Sequence, residues 1–309
     1  MKYTTLNRRA FLQQVSLFSL GMTLGVPRFS LHSAFASSPP SLPLALVKGS
    51  NYEQITRQAV ALLGGMKHFV RPGNNVVIKP NIGWDRSVEQ GANTHPQVVK
   101  ALAEMVLEAG ASRVLVFDYT CNEMRRCYRN SGMEETLGKM GRSVRLEHID
   151  QRKFIEVDIE QGISLSRWDI YKDALHADCY INVPVAKHHG LSRLTLGLKN
   201  SMGVIGGNRG RLHHDIGQKL ADLATVVKPQ LTVVDATRLL MRNGPQGGRL
   251  EDVKKADTII ASADPVAADA FATTLFGLRP EDISSTVAAY RMGLGEMRLE
   301  KITVREHTF

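Results

Sequence analysis

Short apolar runs alternate along this chain with longer amphipathic stretches, and that alternation constrains its fold more than any other feature. Leu44–Val47, Val76–Ile78, Val114–Phe117, Cys179–Val183, Leu231–Val234 and Thr258–Ala261 read as buried strands. Between them, Tyr52–His68, Pro96–Ala109, Asp215–Val227 and Pro265–Phe276 place apolar residues at helical spacing. Thr94 stands where it would cap the second of these, with Pro96 in its first turn. The alternation predicts an α/β fold: a mainly parallel sheet with helices on both faces. Arg145–Ile149 and Phe154–Ile159 instead alternate apolar with polar residues, which predicts a small hairpin insertion with one wet face.

The first residues read as an address. Asn7-Arg8-Arg9-Ala10-Phe11-Leu12 is a twin-arginine pattern, Val15–Val26 is mildly apolar, and Ala34-Phe35-Ala36 is a small-x-small cleavage site. The expected organisation is a signal peptide over 1–36, a Ser/Pro linker over 37–43 and one α/β domain over 44–309. The apolar stretch is too short for a stable membrane span, which needs about 20 apolar residues. The partner expected there is the twin-arginine translocase, and the mature protein would be periplasmic or secreted, exported already folded. Losing Lys2, Arg8, Arg9 and Arg28 lowers the formal charge from +9 to +5. That modest excess suits a small anionic ligand, and without basic runs interleaved with aromatics it argues against nucleic acid.

Only three cysteines occur, Cys121, Cys127 and Cys179, and none stands in iron–sulfur spacing. Cys121 and Cys127 are close enough in sequence to pair across a short loop in an oxidising compartment. Cys179, within an apolar run, reads as a small buried hydrophobe.

In parallel sheets ligands bind where strands end, so polar residues just after apolar runs carry the functional signal. Lys79-Pro80-Asn81 follows one run, Asp118 the next, and Lys187-His188-His189 a third. Asp235 follows a fourth, with Asn243-Gly244-Pro245-Gln246-Gly247-Gly248 beyond it. Asp264-Pro265 follows a fifth. Asp264 reads as a helix N-cap and leaves Asp269 as the freer carboxylate. Five strand ends would thus share one polar rim.

The stretch 181–214 is the densest in chemistry, with four His, several Lys and Arg, and a glycine-rich bend at Gly203–Gly210. It lacks both the P-loop and the dinucleotide-binding glycine patterns. Backbone N–H groups there could still cradle an anion, with Lys199, Arg209 and Arg211 supplying charge. His189, His213 and His214 could give imidazole ligands to a divalent transition metal, completed by Asp235 or Asp215. Acid–base or anion-binding imidazoles, and plain surface histidines, fit the same residues. Neighbouring histidines on an extended segment point opposite ways, so one of each pair would face a given site.

Taken together, these motifs resemble the domain-of-unknown-function 362 family over about Leu44 to Gly277. The matching elements are Val77-Ile78-Lys79-Pro80-Asn81, then Asp178-x-x-Ile181-Asn182-x-Pro184-x-x-Lys187-x-His189. Leu196-Gly197-Leu198-Lys199-Asn200 with Gly203 follows, then Asp235 with Gly244-Pro245-x-Gly247-Gly248, then Ala261-x-x-Asp264-Pro265-Val266-Ala267-x-Asp269. The resemblance implies a shared site using Lys79, Asn81, Lys187, His189, Lys199, Asn200 and Asp269. Relatives are often linked to iron–sulfur modules. The cysteine-rich ferredoxin segment of many of them is missing here, so no cluster is expected from this chain.

The expectation is therefore an exported soluble enzyme acting on a small anionic substrate. Lys79, Lys187, His189 and Asp269 would be catalytic. Asn81, Lys199, Asn200, Arg209, Gly247 and Gly248 would hold the substrate, and His189, His213, His214 and Asp235 are the candidate metal ligands. The alternative is a binding or maturation protein that carries a metal, cofactor or anion without chemistry. A third reading makes the glycine and imidazole segment a partner interface.

Overall fold

The computed structural model describes residues 42–309, which fall in one compact unit. The export pattern and the cleavage site lie outside the described residues. The chain runs β1 (Leu44–Lys48), α1 (Tyr52–Leu62), β2 (Asn75–Pro80), α2 (Pro96–Glu108), β3 (Arg113–Val116), α3 (Met124–Asn130), α4 (Met133–Leu137) and β4 (Val144–Leu146). It continues with β5 (Phe154–Asp158), β6 (Arg167–Tyr171), α5 (Lys172–Leu175), β7 (Cys179–Val183), β8 (Val185–His189), β9 (Arg193–Thr195) and α6 (Gly197–Asn200). Then come α7 (Ile216–Ala224), β10 (Leu231–Leu240), β11 (Val253–Ser262), α8 (Pro265–Thr273), α9 (Ser284–Arg291) and β12 (Val304–Thr308).

The main sheet has the order β12-β1-β11-β10-β7-β2-β3-β4, with β8 also pairing β10 and β9 folding back on β8. From β10 through β7, β2 and β3 to β4 every neighbour is parallel. The fold is α/β with a mostly parallel sheet, as the alternation of apolar runs predicts. Alternate side chains supply two cores. Val76 and Ile78 of β2 pack with Ile55, Val60, Val99 and Leu102 from α1 and α2. Val77 points the other way, into a core with Leu115, Leu220 and Leu223 of α7. A strand buried on both faces has no polar positions to spare, which is why β2 reads as an unbroken apolar run.

Three local expectations need correction. His95, not Thr94, caps α2: its Nδ1 accepts from the Gln97 N–H at 3.2 Å. The Thr94 hydroxyl instead accepts from the Asn81 N–H (2.8 Å) and donates to the Val183 carbonyl (2.7 Å), tying the ends of β2 and β7 together. Of the two alternating segments, only Phe154–Asp158 enters a hairpin, paired antiparallel with β6. Val144–Leu146 joins the main sheet parallel to β3, because an edge strand covered on one face alternates just as a hairpin strand does. Finally, β11 runs antiparallel to both its neighbours, and Ser262 at its end pairs with Thr232 near the start of β10. Asp264 therefore follows a strand that runs against β2, β7 and β10, and it leaves β11 beside the start of β10 rather than beside that strand's carboxyl end.

Cys121, Cys127 and Cys179 are free thiols, the first exposed and the other two buried. Among the described residues no helix is long and apolar enough to cross a membrane.

Candidate functional site

The carboxyl ends of β2, β3 and β8 converge with α6 on a cavity of about 390 Å³, within the usual range for small-molecule sites. Lys79, Asn81, Asp118, Lys187, His189, Lys199 and Asn200 line it, although they come from positions up to 121 residues apart. Strand register explains part of this convergence: β2 and β7 pair so that Lys79 sits opposite Asn182.

A polar lattice forms the floor. Lys79 is 1% exposed; its Nζ meets Asp118 Oδ1 at 2.8 Å and donates to Asn200 Oδ1 at 2.7 Å. Asp118 Oδ2 accepts from the Ile82 N–H at 2.6 Å, while Oδ1 is held by the ion contact to Lys79 alone. The Asn200 amide donates to Asn182 Oδ1 (2.8 Å) and to the Lys79 carbonyl (3.2 Å), and Asn81 Nδ2 donates to Asn200 Oδ1 at 3.1 Å. Burial holds the Lys79 amine below its ordinary range, and the Asp118 charge opposes that shift. Gly203 roofs the pair: a Cβ there would lie 1.8 Å from Asp118 Oδ1 and 2.4 Å from Lys79 Nζ. Any side chain at 203 would break the ion pair.

Lys187 and Lys199 are held differently. Lys187 is also 1% exposed, yet its Nζ bonds only neutral acceptors, Asn81 Oδ1 at 3.0 Å and the Ala92 carbonyl, with the Trp84 ring 5.9 Å away. Lys199 Nζ meets only the Met202 thioether. Among the described residues neither amine makes an ion pair with a carboxylate. Desolvation then dominates: it pushes Lys187 down to about 7 and Lys199 to about 8, with their neighbouring cations adding to the shift.

His189 is neutral for the same reason. Burial, then Lys199 and Lys187, lower it to about 3. Its Nδ1 accepts from the Leu191 N–H (3.1 Å) and the Ser192 N–H (3.2 Å), which leaves the ring proton on Nε2. His189 can therefore donate a hydrogen bond but has no free lone pair to act as a base. His188, one residue back, faces away and accepts from the Gly244 N–H at 3.1 Å. Gly244 has to be glycine there, because a Cβ would lie 1.9 Å from the His188 carbonyl.

The remaining residues singled out from the sequence divide. Arg209 and His213 reach the cavity. The Arg209 guanidinium is largely engaged, donating to the carbonyls of Tyr119 (2.9 Å) and Thr120 (3.0 Å) and stacking 3.8 Å from the Tyr119 ring. The His213 ring is stacked 6.3 Å from that of His189. His214 is exposed and does not line the cavity.

Asp269 does not line the cavity, being turned toward the backbone of α6. Its carboxylate accepts from the N–H groups of Gly197 (2.6 Å) and Leu198 (2.9 Å), and burial pushes it up to about 7. It anchors the turn that presents Lys199 and Asn200. Asp235 is equally committed, accepting from the His95 N–H (2.6 Å), the Thr237 N–H (2.9 Å) and the Thr237 hydroxyl (2.7 Å). Gly247 and Gly248 lie in a turn outside the cavity lining, where the Gly248 carbonyl accepts from Gln90 at 2.8 Å. The set His189, His213, His214 and Asp235 thus does not assemble. Among the described residues no group of three or more His, Cys, Asp or Glu is arranged to hold a metal.

Trp84, Tyr119, Thr195 and Met202 also line the cavity without having stood out in the sequence, Cys121 lines it as a free thiol rather than a partner of Cys127, and Asp118 had no assigned role in the site. Only Asp118 carried a signal, as the polar residue ending β3. The others sit in loops whose paths a periodicity argument does not give.

The family comparison bears on this geometry. The sequence profile described as Domain of unknown function (DUF362) matches residues 76–274, well over half of the chain and the span from β2 through α8. The chain belongs to the DUF362 family. That span contains every residue of the cavity lining, so the DUF362 match and the site coincide. A thylakoid-associated protein of Synechocystis is 28% identical over 270 residues, covering 83% of this chain and 81% of its own. Among solved structures, a Thermotoga maritima protein determined by a structural genomics consortium overlaps at a TM-score of 0.47 and 13% identity, over 74% of this chain and 60% of its own. The lactate racemase apoprotein from Thermoanaerobacterium thermosaccharolyticum overlaps at 0.43 and 12% identity, over 72% of this chain and 54% of its own. The chain spans less than two thirds of either solved protein.

Proposed function

We propose that this DUF362 protein is an enzyme that binds a small anionic substrate in the β2–β3–β8 cavity. The observation that carries this reading is the pair Lys187 and Lys199: two amines in one cavity, next to a neutral imidazole, with no carboxylate to satisfy them. A buried cation without a partner is costly, and an anionic ligand is what would offset that cost. Lys199 pairs the anion, His189 donates through Nε2, and Lys187 is the amine able to change protonation near neutral pH. The Lys79–Asp118–Asn200 lattice and Asp269 hold these groups in place.

Anion titrations test this. Phosphate, oxalate and pyruvate are titrated into the full chain by calorimetry between pH 6 and 10. Lys199 is a cation below about 8, so affinity for a matching anion is expected below that pH and lost as pH rises through it. Lys199→Gln is expected to weaken binding about 30-fold at pH 7. Binding that ignores both pH and the substitution would refute the assignment. Binding with no turnover of any bound anion would favour a carrier instead.

We also propose that the protein is exported in folded form, on the strength of Arg8-Arg9 and Ala34-Phe35-Ala36. The amino terminus of protein from the native host should begin near Ser37. An intact Met1 terminus on cytoplasmic protein would overturn this.

A further inference from the structure

We propose that Lys187 is a covalent nucleophile, forming an imine with the carbonyl carbon of a small oxo acid whose acid group pairs with Lys199. This rests on the reading of the cavity as an anion site and names the substrate class that fits it.

The argument starts from the hydrogen bonds of Lys187. A neutral amine has two N–H bonds and one lone pair, and Nζ has two acceptors, Asn81 Oδ1 and the Ala92 carbonyl. Both hydrogens are spoken for, and the lone pair is left for the cavity that Lys187 lines. An ion-paired lysine cannot do this, because its lone pair is occupied by the third proton. Lys79, paired to Asp118 beneath Gly203, is such a lysine. The buried neutral state of Lys187 is the condition for amine nucleophilicity at ordinary pH.

A second observation points to a polar ligand atom. Thr195 is 4% exposed and lines the cavity, yet its hydroxyl Oγ1 has no hydrogen-bond partner. A buried hydroxyl left unpaired costs about 1–3 kcal/mol, so such a group marks a place that a bound polar atom completes. His189 contributes a second donor from the same wall through Nε2–H. A substrate with a carbonyl oxygen and a separate anionic group uses all three features at once.

The chemistry balances without any further reactant. The Nζ lone pair attacks the carbonyl carbon and the C=O π pair moves to oxygen, stabilised by the Thr195 and His189 donors. One amine proton passes to that oxygen, giving a carbinolamine. The C–O bond then breaks, and oxygen leaves as water with the second amine proton as the C=N bond forms. Nothing is oxidised or reduced.

The test is reductive trapping on the full chain. Protein is incubated with pyruvate and cyanoborohydride, and the adduct is located by intact mass and peptide mapping. One reduced pyruvate adduct on Lys187 is the expected result, absent in Lys187→Arg and formed at least about 10-fold more slowly in Lys199→Gln, which loses the anion's partner. Thr195→Val is expected to slow trapping while leaving pyruvate affinity within a few-fold. Label scattered over surface lysines at the rate seen in urea-unfolded protein overturns the proposal. Pyruvate binding by calorimetry without label on Lys187 overturns it while leaving the anion site standing. Failure of every anion in the panel to bind overturns both.

Discussion

Lys187→Met is expected to make the protein more stable at pH 6–7, by about 2 kcal/mol, while abolishing its capacity to form a covalent adduct. Burial lowers this amine from its ordinary 10.5 to about 7. Between those values the unfolded chain binds a proton that the folded chain does not. Wild-type stability attributable to this group therefore rises as pH rises from about 7 to about 10, and the cost of burying the amine is largest at and below pH 7. A shift of that size corresponds to roughly 5 kcal/mol as an upper bound. Methionine removes the cost but orphans Asn81 Oδ1 and the Ala92 carbonyl, which takes back about 2–3 kcal/mol. The gain should shrink through neutrality and turn into a deficit by about pH 10. Urea denaturation of both proteins at pH 6, 8 and 10 reads this directly. A stability difference that does not vary with pH would remove Lys187 as a group held neutral by the fold. A stabilising loss of a cavity lysine is the behaviour of a residue kept for chemistry rather than for packing.

The opposite result is expected one strand away. Asp118→Asn removes the carboxylate that, among the described residues, alone contacts the buried Lys79 ammonium. Breaking one side of a buried pair typically costs about 3–5 kcal/mol, because the surviving charge cannot reach water. The amide can still accept from the Ile82 N–H, so the backbone need not move. Pairing the change with Lys79→Met should recover most of the loss, since neither charge is then stranded. Denaturant midpoints of wild type, both single variants and the double variant give the coupling energy. A loss below about 1 kcal/mol for Asp118→Asn would mean that the pair is solvated, contrary to the 1% exposure of Lys79. Lys79 and Lys187 share a cavity and near-total burial. What separates them is a single neighbouring carboxylate.

That contrast marks the limit of a linear reading. Both lysines follow apolar runs, and nothing in Val77-Ile78-Lys79 or Val185-Ala186-Lys187 says which amine will find an acid. In sequence Asp118 marks only the end of its own apolar run, with no sign of a partner. Only parallel pairing of β2 with β3 brings it beside Lys79. Asp269 shows the converse. Its place in Ala261-x-x-Asp264-Pro265-Val266-Ala267-x-Asp269 suggests a site residue, yet its carboxylate is consumed by two backbone N–H groups and acts on Lys199 only through the turn it anchors.

The histidines follow the same logic. Local alternation correctly separates His188 from His189, because two residues on an extended strand must face opposite ways. It cannot say that Nδ1 of His189 is filled by the N–H groups of Leu191 and Ser192, which decides that the ring donates rather than accepts. Nor can it exclude His214 and Asp235 from company with His189, since their distance is set by a glycine-rich bend and by β10.

The sequence by itself determined the layered α/β plan, the strands with two buried faces and the concentration of Lys, Asn and His at strand ends. These are short-range properties, carried by hydrophobic period and by the polarity of residues a few positions apart. The tertiary structure alone decided that β11 runs against its neighbours, that Asp118 meets Lys79 while Lys187 and Lys199 meet no acid, and that Thr195 waits without a partner in the same cavity. Charge state and hydrogen-bond completion depend on atoms within a few ångströms, and in this chain those atoms are contributed by residues as many as 121 positions apart.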